Sequence, residues 1–430
     1  MVSETGVSRA DVRIVAGVVA AVAADLPPQA GELELDARGK LVFPGLIDPQ
    51  VHFREPGLTH KEDLASGSLA ALAGGVTAFL EMPNTKPATT TPELLHDKLR
   101  RAAGRCFADY GFFLGATAEN ADRLGAWEAT PGCCGVKVFM GSSTGDLLIA
   151  DDHNLERVLR SGRKRVAVHA EDEPRLQERL RALPPGATVA LHHEVRDVEC
   201  AVRATTRLLT LAEKTHRRVH VLLVSTAEAV AILRERLLTG LVTAEVTPNH
   251  LFLAAPDCYQ QHGALAQMNP PVRERRHQEA LRAALRDGVL TCIGSDHAPH
   301  TREEKALPYP RSPSGIPGVQ TILPLLLTAV RDGWLRLPDL ARICCSGPAA
   351  VWDIDRKGRL VPGMDGDLVV VDPARTAPLE LRELHSGAGW SPYVGWALAG
   401  RPVLTVLRGE VVCRDGVAWT PRGRMLGFAG

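Results

Sequence analysis

The sequence predicts an α/β protein whose main part is a (β/α)8 barrel of the TIM type, joined to a small β-sandwich domain that both termini build. Three observations predict this architecture. The chain has 430 residues, which suits one large barrel with a smaller domain beside it. Over roughly 300 residues, short β-branched runs alternate with longer segments rich in Ala, Leu and Arg, the pattern of a parallel sheet with crossover helices. The two ends are instead rich in Val, Gly and Pro.

The alternating middle of the chain gives the predicted elements in order. Strands are predicted where short runs contain β-branched residues, and helices where longer runs have helical periodicity. The predicted strands are residues 76–82, 135–140, 165–169, 219–224, 242–246 and 290–294. The predicted helices are residues 92–103, 155–160, 198–214 and 227–236.

The two ends of the chain predict the second domain. Residues 11–41 and 359–417 read as strands joined by turns such as Pro-Gly-Met-Asp-Gly at 362–366, and residues 14–24 read as a strand pair. We therefore divide the chain into the N-terminal part of a β-domain (1–43), the barrel (44–355) and the C-terminal part of the β-domain (356–430). Residues 303–318 hold four prolines and two glycines, which predicts a long ordered loop near the barrel mouth.

Charge and composition limit the function classes. Lys+Arg and Asp+Glu both number 50, so nothing favours nucleic acid or an anionic membrane as a partner. Zero net charge favours self-association, and we expect a homo-oligomer, a dimer. No apolar run reaches the roughly 18 residues that span a bilayer, and residues 1–10 do not have the character of a signal peptide. The nine scattered cysteines, without CxxC spacing, predict the reduced, buried thiols of a cytoplasmic protein.

Four polar side chains stand in or at the ends of apolar runs, namely His52, Lys137, His169 and Asp296. Functional side chains of a (β/α)8 barrel lie at the C-terminal ends of its strands, so we expect these four to converge on one mouth. Two imidazoles, a lysine and a carboxylate at one mouth predict a hydrolytic metal site. The alternative for the lysine is a plain buried ion pair, since an unpaired buried lysine is costly.

Six segments resemble, in the same order, those of dihydroorotases and of the related hydantoinases and allantoinases. They are Pro-Gly-Leu-Ile-Asp-Pro-Gln-Val-His-Phe-Arg-Glu-Pro-Gly (44–57), Glu-Met-Pro-Asn-Thr (81–85), Gly-Val-Lys-Val-Phe-Met-Gly-Ser-Ser (135–143), Val-His-Ala-Glu-Asp-Glu (168–173), Met-Asn-Pro-Pro-Val-Arg (268–273) and Gly-Ser-Asp-His-Ala-Pro-His (294–300). The contexts of Arg54, Asn84 and His300 point to dihydroorotase within this family. The resemblance implies a cyclic amidohydrolase of pyrimidine biosynthesis, which interconverts N-carbamoyl-L-aspartate and dihydroorotate.

The resemblance also implies a role for each site residue. It implies that zinc is held by His52, Lys137, His169 and Asp296. In that arrangement Lys137 is N-carboxylated and bridges two metals, while Asp296 also serves as general base and acid. The substrate would be a small molecule with a carboxylate, bound by Arg54, Asn84 and His300, with Asn269 against the ring amide.

Two positions depart from the family pattern. Gln50 stands where the first histidine of a strand pair is expected, and its neutral amide oxygen is a weaker zinc ligand than imidazole. Leu223 stands where the histidine of a later strand is expected, and it offers no donor. His220 does not replace it, because an offset of three residues puts a side chain on the other face of a strand. One zinc ion is therefore favoured over two, and a metal-free site with Lys137 as a plain ammonium stays open.

Three functions stay open at this point. The first is a cyclic amidohydrolase that acts on dihydroorotate or a similar carboxylated cyclic amide and whose metal centre has fewer ligands than the family pattern. The second is a catalytically silent subunit that binds and stabilises a partner such as aspartate transcarbamoylase. The third is a repurposed ring-forming enzyme of another pathway. Structural roles are expected for the cysteines and for four further histidines, and Asn249 is expected to cap a short helix; the histidines are His192, His193, His220 and His250.

Overall fold

The computed structural model describes residues 1–143, 147–236 and 240–429. The described N-terminal segment contains five short strands: β1 (Val2–Ser3), β2 (Gly6–Val7), β3 (Asp11–Val15), β4 (Val18–Ala23) and β5 (Leu41–Pro44). Strand β1 pairs antiparallel with β2, and β3 pairs antiparallel with β4. The strand pair expected near residues 14–24 is thus confirmed, and its hairpin begins three residues earlier, at Asp11.

A sheet of eight parallel strands follows within the described residues. Its strands are β6 (Leu46–Val51), β7 (Val76–Glu81), β8 (Asp109–Gly115), β9 (Cys133–Phe139), β10 (Val166–His169), β11 (Val219–Leu222), β12 (Val242–Val246) and β13 (Cys292–Ile293). Each strand pairs with the next in chain order, from β6 to β13. A parallel bridge between Val51 and His297, with the His52 amide donating to the His297 carbonyl at 2.8 Å, brings the first and last strands together. The predicted (β/α)8 barrel is therefore confirmed.

Helices connect the strands of the barrel. The α-helices of the described residues are α1 (Leu64–Ala73), α2 (Pro92–Ala102), α3 (Leu124–Trp127), α4 (Asp152–Arg160), α5 (Glu173–Arg181), α6 (His192–Val195), α7 (Val198–Thr215), α8 (Ala227–Arg236), α9 (Pro248–Phe252), α10 (Asp257–His262), α11 (Arg275–Arg286), α12 (Arg302–Lys305), α13 (Ile322–Arg331), α14 (Leu337–Ala341) and α15 (Gly347–Val351). Among the described residues, none of these helices combines the length and the apolar character that crossing a membrane requires.

Local sequence sets the ends of the crossover helices. The side chain of Thr91 accepts a hydrogen bond from the Leu94 amide, and Pro92 occupies the first position of α2, where a missing amide hydrogen costs nothing. Asp197 caps α7 in the same way, through the Cys200 amide. Helix α7 ends where His216 takes the left-handed conformation, with φ of 51°.

Both termini build the second domain. Strands β14 (Leu368–Pro378), β15 (Ala397–Leu407), β16 (Glu410–Arg414) and β17 (Val417–Ala418) form an antiparallel sheet, which β5 completes by pairing with β14. The β3–β4 hairpin packs against this sheet through an apolar cluster that includes Val19, Leu368 and Val406. The turn at 362–366 binds the hairpin, since the Val19 amide donates to the Met364 carbonyl at 2.8 Å. The boundaries drawn at residues 43 and 355 stay a prediction.

Three local predictions need correction. The strand predicted over 219–224 ends at Leu222, because Leu223 has a φ of 57° and leaves the extended conformation. The short helix α9 is capped by Thr247, whose hydroxyl accepts from the His250 amide; Asn249 lies inside the helix and its Oδ1 accepts from the Tyr393 hydroxyl. Strands β6 and β8 had no counterparts among the predicted strands.

The left-handed turn at Leu223 also overturns the argument about His220. It breaks the alternation of side chains along the strand, so Leu222 and Leu223 both join the apolar cluster inside the barrel. His220 lies in the same interior, with its ring 5.3 Å from that of Trp352. His220 therefore faces the same side as Leu223, but deeper in the barrel and hydrogen-bonded elsewhere.

Candidate functional site

A cleft with about 340 Å³ of empty space, its opening to solvent included, lies at the C-terminal ends of the barrel strands. Carboxyl ends of parallel strands meet at one face of a barrel, which is why side chains from distant segments converge there. Of the ten positions singled out in the sequence, nine line this cavity: Gln50, His52, Arg54, Asn84, Lys137, His169, Leu223, Asn269 and Asp296. The tenth, His300, lies behind the wall.

His52 and Asp296 form the centre of the site. His52 Nδ1 lies 2.7 Å from Asn84 Oδ1, and since an amide oxygen can only accept, this nitrogen carries a proton. Burial lowers the pKa of His52, although Asp296 raises it, so the ring is neutral and its Nε2 lone pair faces Asp296 Oδ1 at 3.1 Å. Two acceptor atoms at that distance are stabilised by a cation between them, and this is the arrangement that a metal ion fits.

Gln50 adds an oxygen to this centre. Its Nε2 donates to Asp296 Oδ1 at 3.3 Å, while its Oε1 is buried and receives no hydrogen bond from the described residues. A buried amide oxygen without a donor is costly, and a cation would relieve that cost. Gln50 is therefore compatible with a metal at this centre, although as a weaker ligand than histidine.

Lys137 reaches the same centre from strand β9. Its side chain is 1% exposed, and its Nζ lies 4.4 Å from the centre of the Phe139 ring. Burial lowers the pKa of Lys137 to about 7, against the opposing effects of Asp296 and Glu245. A substantial fraction of the lysine is thus the neutral amine at physiological pH, and this is the form that can react with carbon dioxide to give a carbamate.

His169 is held in place by a buried ion pair. Its Nε2 lies 2.8 Å from Glu171 Oε2, and the guanidinium of Arg196 lies 2.6 Å from the same carboxylate. Burial raises the pKa of Glu171, but Arg196 and His169 outweigh it and hold the pKa below its usual range. Because Glu171 accepts from Nε2, the Nδ1 atom of His169 is the one left to bind a ligand.

The donors fit one metal ion better than two. A first ion is offered His52, Asp296, Gln50 and Lys137, which are the nitrogen and oxygen donors that zinc accepts. Among the described residues a second ion is offered only Lys137 and His169, because Leu223 lines the cavity with an aliphatic side chain. Three or four protein ligands are usual for zinc, so the second position is incomplete.

Arg54 provides the positive charge of the cavity wall. It has a φ of 63° and is 1% exposed, with Nε donating to the Pro299 carbonyl at 3.1 Å. His300 lies behind it: its Nε2 donates to the Ser314 carbonyl at 3.0 Å and its Nδ1 accepts from Lys61 Nζ at 3.1 Å, while the Arg54 Nη2 lies 3.2 Å from Nε2. Burial and the adjacent cations depress the pKa of His300, which keeps the ring neutral. The geometry places His300 against Arg54, behind the cavity wall rather than in the cavity lining.

Asn269 lines the opposite side of the cavity and is oriented by His192, a histidine that was expected to have only a structural role. His192 Nε2 lies 3.0 Å from Asn269 Oδ1 and 3.0 Å from the Met268 carbonyl, so it donates to both. This turns the Asn269 amide hydrogens toward the cavity, where Nδ2 lies 3.5 Å from Ser143 Oγ. Burial lowers the pKa of His192 to about 3, which keeps the ring neutral.

Sequence reasoning left out five lining residues: Phe139, Ser143, Ala298, Ser314 and Gly315. Ser314 and Gly315 come from the proline-rich segment predicted to be a loop near the barrel mouth, a prediction that is confirmed. Lys305 secures that loop, because its buried Nζ donates to the carbonyls of Gln267, Pro313 and Gly315. The proline and glycine content of this loop was the sequence feature that could have indicated Ser314 and Gly315 as lining residues.

The nine cysteines are all buried and free, as the sequence predicted. His250 likewise has a structural contact, with its Nε2 donating to the Pro270 carbonyl at 3.1 Å. His193 stacks on Tyr259 with ring centres 5.6 Å apart, away from the cavity lining. The structural expectation thus agrees with the contacts of these residues.

Comparison with known proteins agrees with this site. Residues 41–412 match the model of the amidohydrolase family. The chain is 37% identical to a dihydroorotase of Methanosarcina acetivorans over 98% of its own length and 92% of that protein, and 37% identical to one of Halobacterium salinarum over 89% of each. It also superposes on the L-hydantoinase (dihydropyrimidinase) of Arthrobacter aurescens with a TM-score of 0.91 and 28% identity, over 99% and 97% of the two chains. The predicted class, a cyclic amide hydrolase, is confirmed; proteins of this class generally use a metal such as zinc.

Proposed function

The chain belongs to the amidohydrolase family, and we propose that it interconverts N-carbamoyl-L-aspartate and dihydroorotate. We propose that its metal centre holds one ion and has fewer ligands than the family pattern. The observation that carries this proposal is the pairing of two features in one cavity. The buried guanidinium of Arg54 lines the same cavity as the His52–Asp296 centre. A cyclic amide with a carboxylate needs both, one for recognition and the other for hydrolysis.

In the proposed ring opening, each of three cavity residues has a separate role. Arg54 binds the substrate carboxylate, and its planar guanidinium suits a bidentate contact. The Asn269 amide donates to the ring carbonyl. Asp296 Oδ1 accepts the proton of the attacking water, and the carboxyl group then delivers this proton to the ring nitrogen as the carbon–nitrogen bond breaks. Ring closure runs through the same steps in reverse.

Zinc is proposed at the centre formed by His52, Lys137 and Asp296, with Gln50 as a weak additional ligand. When bound there, zinc supplies Lewis-acid polarisation of the scissile carbonyl. Carboxylation of Lys137 is part of the proposal, because it turns a cation into an anionic oxygen donor. A single ion is proposed, since Leu223 removes the donor of a second position.

The test measures turnover and metal content in one preparation. Dihydroorotate is the test substrate, and dihydrouracil, the same ring without a carboxylate, is the matched control substrate. We expect turnover of dihydroorotate, preference for it over dihydrouracil, and loss of turnover in Asp296→Asn. Equal turnover of both rings would contradict the assigned substrate, and no turnover with added zinc and bicarbonate would contradict the mechanism.

Leu223 favours a second candidate, a catalytically silent subunit that stabilises aspartate transcarbamoylase. It predicts no turnover of dihydroorotate together with a partner that co-purifies and loses activity when this chain is removed. A homodimer and a cytoplasmic location are also proposed, on the zero net charge and on the nine free thiols. Light scattering of the purified protein tests the dimer.

A further inference from the structure

A second group of donor atoms lies inside the barrel, below the cavity and outside its lining. His220, Glu245 and Cys292 stand on three adjacent strands, β11, β12 and β13, and each is 0% exposed. His220 Nε2 lies 3.1 Å from Glu245 Oε2 and 3.9 Å from Cys292 Sγ. One donor atom from each of the three residues lies within 4.8 Å of the other two.

These separations suit a zinc ion. Tetrahedral zinc holds nitrogen, oxygen and sulfur ligands at about 2.0–2.3 Å, which sets the ligands roughly 3.3–3.8 Å from one another. The two distances at His220, 3.1 Å and 3.9 Å, lie just below and just above this range, and the third separation, between Glu245 and Cys292, is within 4.8 Å. The set of imidazole, carboxylate and thiol is also one that favours zinc over magnesium or calcium.

The hydrogen bonds of the group leave donor atoms turned inward. His220 Nδ1 lies 2.7 Å from Thr243 Oγ1, whose hydroxyl donates to the Val219 carbonyl. Thr243 therefore accepts from Nδ1 and orients the ring with the Nε2 lone pair toward Glu245 and Cys292, as outer contacts of metal-binding histidines do. Glu245 Oε1 is fully buried and has no hydrogen-bond partner among the described residues.

Charge balance supports the same ion. A carboxylate and a thiolate in an apolar interior are costly when unpaired, and a divalent cation makes the group neutral. We propose that His220, Glu245 and Cys292 bind a zinc ion in the barrel interior, separate from the hydrolytic centre and independent of the proposed reaction. Binding displaces one proton from the Glu245 carboxyl and one from the Cys292 thiol, and two protons leave as Zn²⁺ enters.

Cobalt substitution tests this site without relying on turnover. The whole chain is produced in medium with Co²⁺ in place of zinc, and the absorption spectrum is recorded. The proposed ligands of the hydrolytic centre include no cysteine, so a thiolate-to-cobalt charge-transfer band in the near ultraviolet reports on a cysteine outside that centre. We expect this band in the unaltered protein and in Asp296→Asn, because Asp296 is not one of the three proposed ligands of the interior site. Absence of the band in the unaltered protein overturns the proposal.

Matched variants identify the ligand. Cys292→Ser is expected to lose the band and about one metal ion per chain, whereas Cys134→Ser, another buried cysteine of the same interior cluster, retains both. Circular dichroism checks that each variant folds. A band that persists in Cys292→Ser, or that Cys134→Ser removes as well, contradicts the proposal. If Cys292→Ser does not fold, Glu245→Gln takes its place. We expect Glu245→Gln to lose about one metal ion per chain, and an unchanged metal content would contradict the proposal.

Discussion

Replacement of Arg54 by methionine separates the substrate role of this residue from its structural role. Burial lowers the pKa of Arg54 from 12.5 to about 10, which corresponds to about 3 kcal/mol at 1.36 kcal/mol per pH unit. At pH 7 the charge therefore destabilises the folded state by about that amount. Its hydrogen bond to the Pro299 carbonyl, which a charged donor makes, returns about 2 kcal/mol. The net expectation for Arg54→Met is a gain of about 1 kcal/mol in unfolding free energy.

The same substitution should remove carboxylate recognition. Two charge-assisted hydrogen bonds to the substrate are worth about 3 kcal/mol together, which is roughly a hundredfold in kcat/KM. We expect Arg54→Met to lose about that factor on dihydroorotate and to leave the rate on dihydrouracil unchanged. Steady-state kinetics on both rings, with urea unfolding of the same samples, measure the two effects.

Arg165 is the matched control for this experiment. It is also buried, its pKa is also lowered to about 10 by burial, and it donates to the carbonyls of Val351 and Val219 away from the cavity. Arg165→Met should change stability without changing the preference between the two rings. The reasoning is refuted if Arg54→Met destabilises the fold by several kcal/mol while keeping its preference for dihydroorotate.

Three further predictions concern metal, carbamate and pH. Leu223→His should raise the metal content of the cavity by about one ion and increase turnover, measured by mass spectrometry and kinetics, because it restores a donor beside His169. Carbon-13 NMR in labelled bicarbonate should show one carbamate signal, lost in Lys137→Arg. Burial lowers the pKa of His250 to about 4, so the unfolded state binds an extra proton between about pH 6.5 and pH 4 and stability falls as pH drops through that window. Between pH 7 and pH 5, the unfolding free energy measured with urea should fall by about 2 kcal/mol less in His250→Gln than in the unaltered protein.

Each of these predictions has a control in the same chain. Leu222→His puts an imidazole one position away, and an equal gain in metal there would contradict the role of residue 223. Lys305 is a second buried lysine, but three carbonyls hold its Nζ, so Lys305→Arg should keep the carbamate signal. An identical pH dependence in His250→Gln would show that another group causes the acid sensitivity.

The barrel could be predicted from sequence because its pattern is strong, while single elements could not. Strand β8 has the sequence Asp-Tyr-Gly-Phe-Phe-Leu-Gly, in which two glycines and an aspartate weaken the local signal. It is a strand because β7 and β9 supply ladder partners on both sides. The left-handed turn at Leu223 has no local signal either, since Val-Leu-Leu-Val reads as continuous strand. Tertiary contacts determine both the extended conformation of β8 and the turn at Leu223.

More of the candidate site than of the individual strands could be predicted, because a motif identifies single residues directly. Short motifs located nine positions that line one cavity. They did not reveal that His300 lies behind Arg54, since that depends on how residues 246 apart in sequence pack. The pairing of His220 with Glu245 was hidden for the same reason, because strand register brings the two together over a separation of 25 residues.

Charge accounts for why a chain with Leu223 can keep the rest of the site. A carbamate on Lys137 and the carboxylate of Asp296 carry two negative charges, which one divalent zinc neutralises. Without metal, the ammonium of Lys137 and Asp296 also balance. A second divalent ion would have Lys137 and His169 as its protein ligands among the described residues, because the leucine side chain at position 223 offers no donor atom. Loss of that donor thus leaves two neutral states, and carbamate formation at Lys137 should rise and fall together with occupancy of the single metal.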